Sequence, residues 1–314
     1  MTMRILVLGA GGTGGYFGGR LAEAGADVTF LVRPRRREQL ERDGLRISGP
    51  LGDVRLDVAT VSQEELRPEY DLVLLTCKAY DLDSAMDVIA PAMTGQCAVL
   101  PLLNGMSHFD VLNERFGSDA VMWGTCVVNA ELLDDGVIEQ TSTLQRIIFG
   151  ERNREKTPRA KAFADALSLT QLDWELADDI ERNLWEKMSQ LSAMAALTCL
   201  FRASIGDIIA APGGPEAIDR TIRANIEIIT REGFPPRPEA VAFVMGQLTK
   251  PGNPMTASLM RDMEAGKRVE GDHILGTMLD KAHEHGVDDT MLSLAYTHVK
   301  AYEARRADGR LPRS

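Results

Sequence analysis

A short apolar strand followed at once by a glycine loop constrains this chain more than any other stretch. Residues Arg4 to Leu8 read Arg-Ile-Leu-Val-Leu, and Gly9-Ala10-Gly11-Gly12-Thr13-Gly14 follows directly. A helix-compatible stretch runs from about Gly14 to Ala24 and stops at Gly25; a second strand, Asp27 to Val32, comes next. Strand, glycine turn and helix in that order are the setting in which G-x-G-x-x-G takes a dinucleotide pyrophosphate. Gly9 permits the sharp turn, Gly11 leaves room for the phosphates, and Gly14 lets the helix close on the strand. Free N–H groups and the positive end of the helix dipole then face the anion. Among 28 glycines an ordinary tight turn can also produce the motif, but its placement favours the nucleotide site. Gly9, Ala10, Gly11, Gly12, Thr13 and Gly14 are therefore the expected pyrophosphate contacts. Gly15, Gly18 and Gly19 weaken intrinsic helicity and allow close backbone packing.

The end of the second strand bears on which dinucleotide binds. A chain that prefers NAD usually places Asp or Glu there to hold the ribose hydroxyls. This one reads Phe30-Leu31-Val32-Arg33-Pro34-Arg35-Arg36-Arg37, with no acid and a cluster of arginines. Arg33 is the best placed to meet a 2′-phosphate, whose oxygens suit a guanidinium fork. NADP(H) is the expected cofactor. The plainer alternative is a solvated basic loop heading the next helix.

At 314 residues the chain is long enough for two domains. A net charge of −11 argues against a nucleic-acid partner, and the arginine cluster is local rather than a basic face. No apolar run approaches the roughly 18 residues that span a bilayer, so no membrane partner is expected. The N-terminus reads as a strand and not as a signal peptide. Cys77, Cys97, Cys126 and Cys199 lie far apart with no C-x-x-C pair. They read as small buried hydrophobes in a reducing cytoplasm rather than disulfides or a zinc site. Oligomeric state is open between monomer and homodimer.

Alternating signals fill the first half. Strands are expected at 45–47, 54–59, 72–76, 98–101, 121–127, 136–140, 146–149 and 172–176, with helices at 36–43, 83–89, 108–116 and 158–167. Such alternation implies a mostly parallel, doubly wound sheet with helices on both faces. From about Asp178 strand signals vanish and long helical patterns take over. The expected fold is α/β: a Rossmann-type domain over 1–176, then an all-α domain over 177–314.

On spacing alone, Lys187 lies between Leu184 and Leu191 on an apolar helical face, an odd place for a merely solvated lysine. Other notable stretches are Cys77-Lys78-Ala79-Tyr80, Leu102-Leu103-Asn104-Gly105-Met106, Glu181-Arg182-Asn183-Leu184-Trp185-Glu186-Lys187, and the run from Ser258 through Asp262 to Glu270 with Gly271-Asp272 behind it. Together and in this order they resemble the ketopantoate reductase (2-dehydropantoate 2-reductase) family along nearly the whole chain. The resemblance implies NADPH and a 2-oxo acid in a cleft between a Rossmann and a helical domain. It makes Lys187 the catalytic lysine, Lys78 a cofactor-side lysine, and Asn104 an amide orienting nicotinamide and substrate. It places Glu270 at cofactor and substrate hydroxyl, and Ser258 on the substrate. Without it, Lys78 is a surface lysine, Asn104 a turn residue, and Glu270 and Ser258 parts of a solvated helix. These last two are twelve residues apart, and one long helix would put them on similar faces.

The chemistry suits a lysine. Hydride delivery to a ketone leaves charge on the oxygen, and a partly desolvated ammonium can supply both charge and proton. His273 is at best a supporting residue. His283 and His285 would diverge on a helix with no acid or cysteine at ligand spacing, so no metal is expected. No serine sits on a G-x-S-x-G turn.

One departure concerns the substrate. The family pattern has substrate-binding asparagines four and eight residues beyond the lysine; this chain has Leu191 and Ala195. Both are expected to line the substrate pocket, and apolar groups there would favour a different or bulkier acid than ketopantoate. Rival readings are a 3-hydroxy acid dehydrogenase and a non-catalytic NADPH-binding sensor.

Overall fold

A computed structural model describes Thr2 to Leu311 and divides the chain into two compact units. The first unit runs to Leu103 and resumes over His108–Glu181; the second holds Asn104–Ser107 and the chain from Arg182 onward.

In the first unit the order is β1 (Arg4–Leu8), α1 (Gly12–Glu23), β2 (Asp27–Leu31), α2 (Pro34–Asp43), β3 (Leu45–Ser48), β4 (Val54–Leu56), β5 (Ala59–Val61), β6 (Leu72–Leu75), α3 (Leu82–Ile89) and β7 (Ala98–Pro101). After the excursion at 104–107 come α4 (His108–Phe116), β8 (Trp123–Leu132), β9 (Val137–Gly150), α5 (Pro158–Ser168) and β10 (Asp173–Leu176). Five strands form a parallel sheet in the order β5-β2-β1-β6-β7. The central strands are apolar on both faces, as strands covered on both sides must be. Strand order reverses at β1, with β2 on one side and β6 on the other, so the glycine loop leaves the sheet at its topological switch point.

A second, mixed sheet was not legible as separate. It runs β10-β9-β3-β4, with β8 antiparallel to β9. Two strand expectations change accordingly. The single strand expected at 54–59 is two strands: β4 pairs with β3 in the mixed sheet and β5 with β2 in the parallel one, with Asp57 and Val58 between them. The separate strands expected at 136–140 and 146–149 are one, β9. Alternation along a strand reports its faces, not which sheet it joins.

Helix α1 packs against both sheets, which accounts for its glycines. A Cβ on Gly18 would lie 2.8 Å from the Phe30 ring and 2.9 Å from Val7 of the parallel sheet. One on Gly19 would lie 2.6 Å from Leu45 and 2.7 Å from Ile47 of the mixed sheet. Overpacking of this kind costs about 1–3 kcal/mol, so glycine's poor helicity is the smaller loss. Phe30, Ile47, Phe149 and Phe163 are fully buried in the same core.

The second unit is helical: α6 (Ile180–Phe201, entering it at Arg182), α7 (Ile205–Ala210), α8 (Gly214–Arg231), α9 (Pro238–Leu248), α10 (Ser258–Glu264), α11 (Thr277–His285) and α12 (Thr290–Ala307). Helix α8 shows why they associate: Ile218, Ile222, Asn225 and Ile229 recur at helical spacing and are buried. Ser204 and Asp207 form a capping box on α7. All four cysteines are free thiols, and burial pushes Cys97 and Cys199 up to about 12. No described helix is long and apolar enough to cross a membrane.

Candidate active site

The glycine loop of the first unit has the features of an anion cradle. Gly9 takes φ +86°, and its N–H donates to Leu31 O at 2.9 Å, turning the chain directly off β1. A Cβ on Gly11 would meet nothing within 4 Å. Gly11 caps α1 with no side-chain bond, and the first turn carries no acid. Among the described residues, neither a capping side chain nor a first-turn acid competes with a bound anion for the helix N-terminus. Gly14 is set by packing instead: a Cβ there would strike Thr76 Oγ1 and come 2.5 Å from Gly9 O. Thr76 donates to Leu8 O at 3.0 Å, so the end of β6 braces the turn. A dinucleotide pyrophosphate fits this arrangement.

Arg33 stands exposed at the N-cap of α2, directly after β2 and Val32. Its neighbour Arg36 has a role that sequence reading missed. Arg36 Nε donates to Ala10 O at 3.1 Å, and Nη1 donates to Gly136 O at 3.1 Å and Gln39 Oε1 at 2.6 Å. One guanidinium thus ties the glycine loop to the β8–β9 turn. Only the arginine cluster hinted at it. Lys78 is exposed just beyond β6, at the head of a 3-10 turn over Ala79–Asp81.

Within the second unit, the structure brings together two expected residues far apart in sequence. Lys187 Nζ donates to Asn104 Oδ1 at 3.1 Å, and both side chains are partly buried. On its helix Lys187 shares a face with the buried Asn183 and Leu184 one turn before it and the half-buried Gln190 and Leu191 one turn after, so the partly buried ammonium emerges from a face of mixed polarity. Its neighbour Glu186 is held separately. Arg237 Nε and Nη2 fork onto that carboxylate, and the Arg237 backbone N–H donates to it at 2.8 Å. Glu186 is thus matched by a different cation.

Glu270 is 8% exposed and leads into a π-helical turn at Asp272–Gly276, continuous with α11. Ser107 Oγ lies 2.7 Å from His273 Nδ1 on that turn. Burial pushes the His273 imidazole below its ordinary value, against the pull of Glu270 and Asp272. Tyr296 OH donates to Asp272 at 2.7 Å, and Lys300 Nζ donates to it at 3.0 Å; burial raises the Asp272 carboxyl, but these two hydrogen bonds and the charge of Lys300 outweigh it and hold the carboxyl below the usual range. The single helix expected to carry Ser258 and Glu270 is absent. α10 ends at Glu264, and Gly266, at φ +66°, turns the chain away before Glu270. Ser258 is the exposed first residue of α10. The preceding N–H, of Ala257, donates to Thr198 Oγ1 on α6 at 3.2 Å.

The two apolar replacements part company. Leu191 is half-buried at the edge of the helical core, whereas Ala195 is 1% exposed inside it with Trp185 and Met188. Of the two, Leu191 keeps surface that could meet a substrate, whereas Ala195, on the second turn beyond Lys187, has almost none. His283 and His285 diverge, bonding to Asp289 and Glu232 respectively. Contrary to the spacing argument, His285 does gather acids in space, with Glu232 and Glu284 ligand atoms within 4.8 Å. Lys281 already pairs with both carboxylates, at 3.4 and 2.8 Å.

Comparison with known proteins places this geometry in context. Models described as ketopantoate reductase PanE/ApbA and its C-terminal part match residues 5–154 and 179–303. An uncharacterized oxidoreductase of Bacillus subtilis (strain 168), YkpB, is 34% identical over 304 residues, covering 97% of this chain and 100% of its own. The 2-dehydropantoate 2-reductase of Archaeoglobus fulgidus is 27% identical over 285 residues, covering 91% of this chain and 92% of its own. Among solved structures, D-mandelate dehydrogenase with NADH and anilino(oxo)acetate superposes with a TM-score of 0.85, at 22% identity over 97% of this chain and 99% of that one.

Proposed function

The chain belongs to the ketopantoate reductase family of oxidoreductases, and from that premise we propose that it is an NADPH-dependent reductase of a 2-oxo acid. The observation that carries the reading is the Lys187–Asn104 contact. A partly buried ammonium, oriented by an amide oxygen, suits the stabilisation and protonation of a developing alkoxide. When bound, the nicotinamide supplies the hydride to the carbonyl carbon.

The chain's own residues do the rest. Gly9 through Gly14 hold the pyrophosphate with backbone N–H groups and the head of α1. Arg33 takes the 2′-phosphate, and Lys78 lies on the cofactor side. Asn104 Oδ1 accepts one Lys187 proton and so fixes where Nζ points. Lys187 gives a proton to the substrate oxygen. The buried Glu270 positions cofactor and substrate hydroxyl, and Ser258 contacts the substrate. The test is NADPH consumption, followed by absorbance, with a panel of 2-oxo acids that includes ketopantoate. NADPH bound without turnover on any of them would favour the sensor reading.

Leu191 favours a second reading on the substrate. It stands one helical turn beyond Lys187 with no hydrogen-bonding atom. A paralogous reductase that prefers an apolar or aromatic 2-oxo acid is consistent with it. D-mandelate dehydrogenase, similar in fold, was solved with anilino(oxo)acetate and NADH. The NADPH preference rests on Arg33, exposed at the head of α2.

A further inference from the structure

The segment that carries Asn104 belongs to the second unit although it leaves from β7. Three contacts hold it there. Lys187 donates to Asn104 at 3.1 Å. Gly105, at φ +96°, lies so close to the π turn that a Cβ would come 2.8 Å from His273 O. Ser107 Oγ lies 2.7 Å from His273 Nδ1. His273 thus touches the segment twice, by backbone and by ring, on either side of Met106. The turn it sits on begins just after Glu270, and π turns within helices recur at functional sites.

We propose that Ser107 and His273 form a latch that sets Asn104 against Lys187 and registers both to Glu270. The latch rests on the role proposed above for Lys187. Burial favours the neutral ring, so Nδ1 can accept the Ser107 hydroxyl proton with its own proton on Nε2. Neither residue touches the reacting atoms; both are positioning residues. With the latch open, Asn104 is free to swing, and Lys187 Nζ loses the aim that Asn104 gives it. A displacement of about 1 Å in a reacting group can cost about 10²-fold in rate.

The experiment compares Ser107→Ala, His273→Phe, His273→Asn and the double variant Ser107→Ala/His273→Phe, with Lys187→Ala as reference. Turnover is followed with the fastest of ketopantoate, 4-methyl-2-oxopentanoate and phenylglyoxylate, and NADPH affinity by fluorescence. Ser107→Ala and His273→Phe should each lower kcat by about 10- to 100-fold, with NADPH affinity unchanged. The double variant should be no worse than the poorer single one, because both remove one interaction. His273→Asn, whose amide oxygen can stand in for Nδ1, should recover part of the loss. Unchanged kcat in Ser107→Ala, multiplying losses in the double variant, or equal loss in His273→Asn and His273→Phe would each overturn the latch. If Lys187→Ala keeps its turnover, the site reading fails instead. Should none of the three acids turn over, the Asn104 side-chain amide NMR signal decides: it should shift in Ser107→Ala, and a signal that does not move overturns the latch.

Discussion

Lys187 and Asn104, 83 positions apart, meet through a 3.1 Å hydrogen bond from ammonium to amide oxygen. The pair joins a long helix to a four-residue excursion from the parallel sheet. That geometry leads to a prediction about the proton. Lys187→Ala should lower turnover by about 10²–10⁴-fold while leaving NADPH affinity nearly intact. Turnover and cofactor fluorescence on one preparation provide the check. Retained turnover removes Lys187 from the mechanism.

The second prediction concerns cofactor choice. Arg33 is exposed at the head of α2 and forms no ion pair among the described residues, whereas Arg36 and Arg37 are already engaged. NADPH should bind more tightly than NADH, and Arg33→Ala should narrow the gap. One charge-assisted phosphate contact contributes roughly 1.5–3 kcal/mol, or about tenfold or more in affinity. Superimposable titrations of the unmodified protein with the two cofactors would sink the idea. Arg36→Ala should behave differently, weakening both cofactors together, because it releases Ala10 and the loop itself.

The third prediction is a pH dependence of stability. Burial depresses His273 despite Glu270 and Asp272, and burial with the nearby Arg202 depresses His298. A histidine whose folded pKa lies below its unfolded value of about 6.5 is protonated first in the unfolded chain. Neither group penalises folding above that pH, and both do so as pH falls through it. Stability should therefore decline on acidification from about pH 6.5. His273→Asn should flatten that limb in denaturant titrations at several pH values. An unchanged slope would show that the ring titrates normally in the fold.

Much of this was legible beforehand, for local reasons. The glycine turn, the acid-free strand end and the helices at 83–89 and 108–116 are short-range patterns, and propensity with periodicity reports them. What could not be read depends on long-range partners. Asp57 and Val58 carry the chain from one sheet to another without a Gly or Pro to mark it. Gly266 follows the end of α10, but a glycine within a helical pattern can be tolerated there as well as mark its end. Ser107 offered no pattern, since its partner His273 is 166 positions away. Arg36 was visible only as one arginine in a cluster. Which guanidinium turns inward to Ala10 is decided by the β8–β9 turn, through Gly136.

The last prediction concerns specificity, and the structure changes its form. Sequence alone puts Leu191 and Ala195 on the face of Lys187 and suggests replacing both with Asn. Leu191 is half-buried, but Ala195 is 1% exposed within the helical core. An Asn at 195 would bury an amide there without a built partner, costing roughly 1–3 kcal/mol, with overpacking added. Ala195→Asn should thus lower the melting temperature without a specific effect on substrate choice. Leu191→Asn should instead shift preference toward ketopantoate, because it offers the donor and acceptor that a polar acid needs one turn from Lys187. For the unmodified protein, kcat/KM should be higher with an apolar 2-oxo acid than with ketopantoate. A missing hydrogen-bond partner in the pocket disfavours the polar substrate by roughly 1–3 kcal/mol for each group left buried and unsatisfied. The measurement is kcat/KM for ketopantoate and 4-methyl-2-oxopentanoate in the unmodified, Leu191→Asn and Ala195→Asn proteins, with melting curves alongside. If the unmodified protein reduces ketopantoate better than the apolar acid, Leu191 does not set specificity, and the substrate is the one the family name implies.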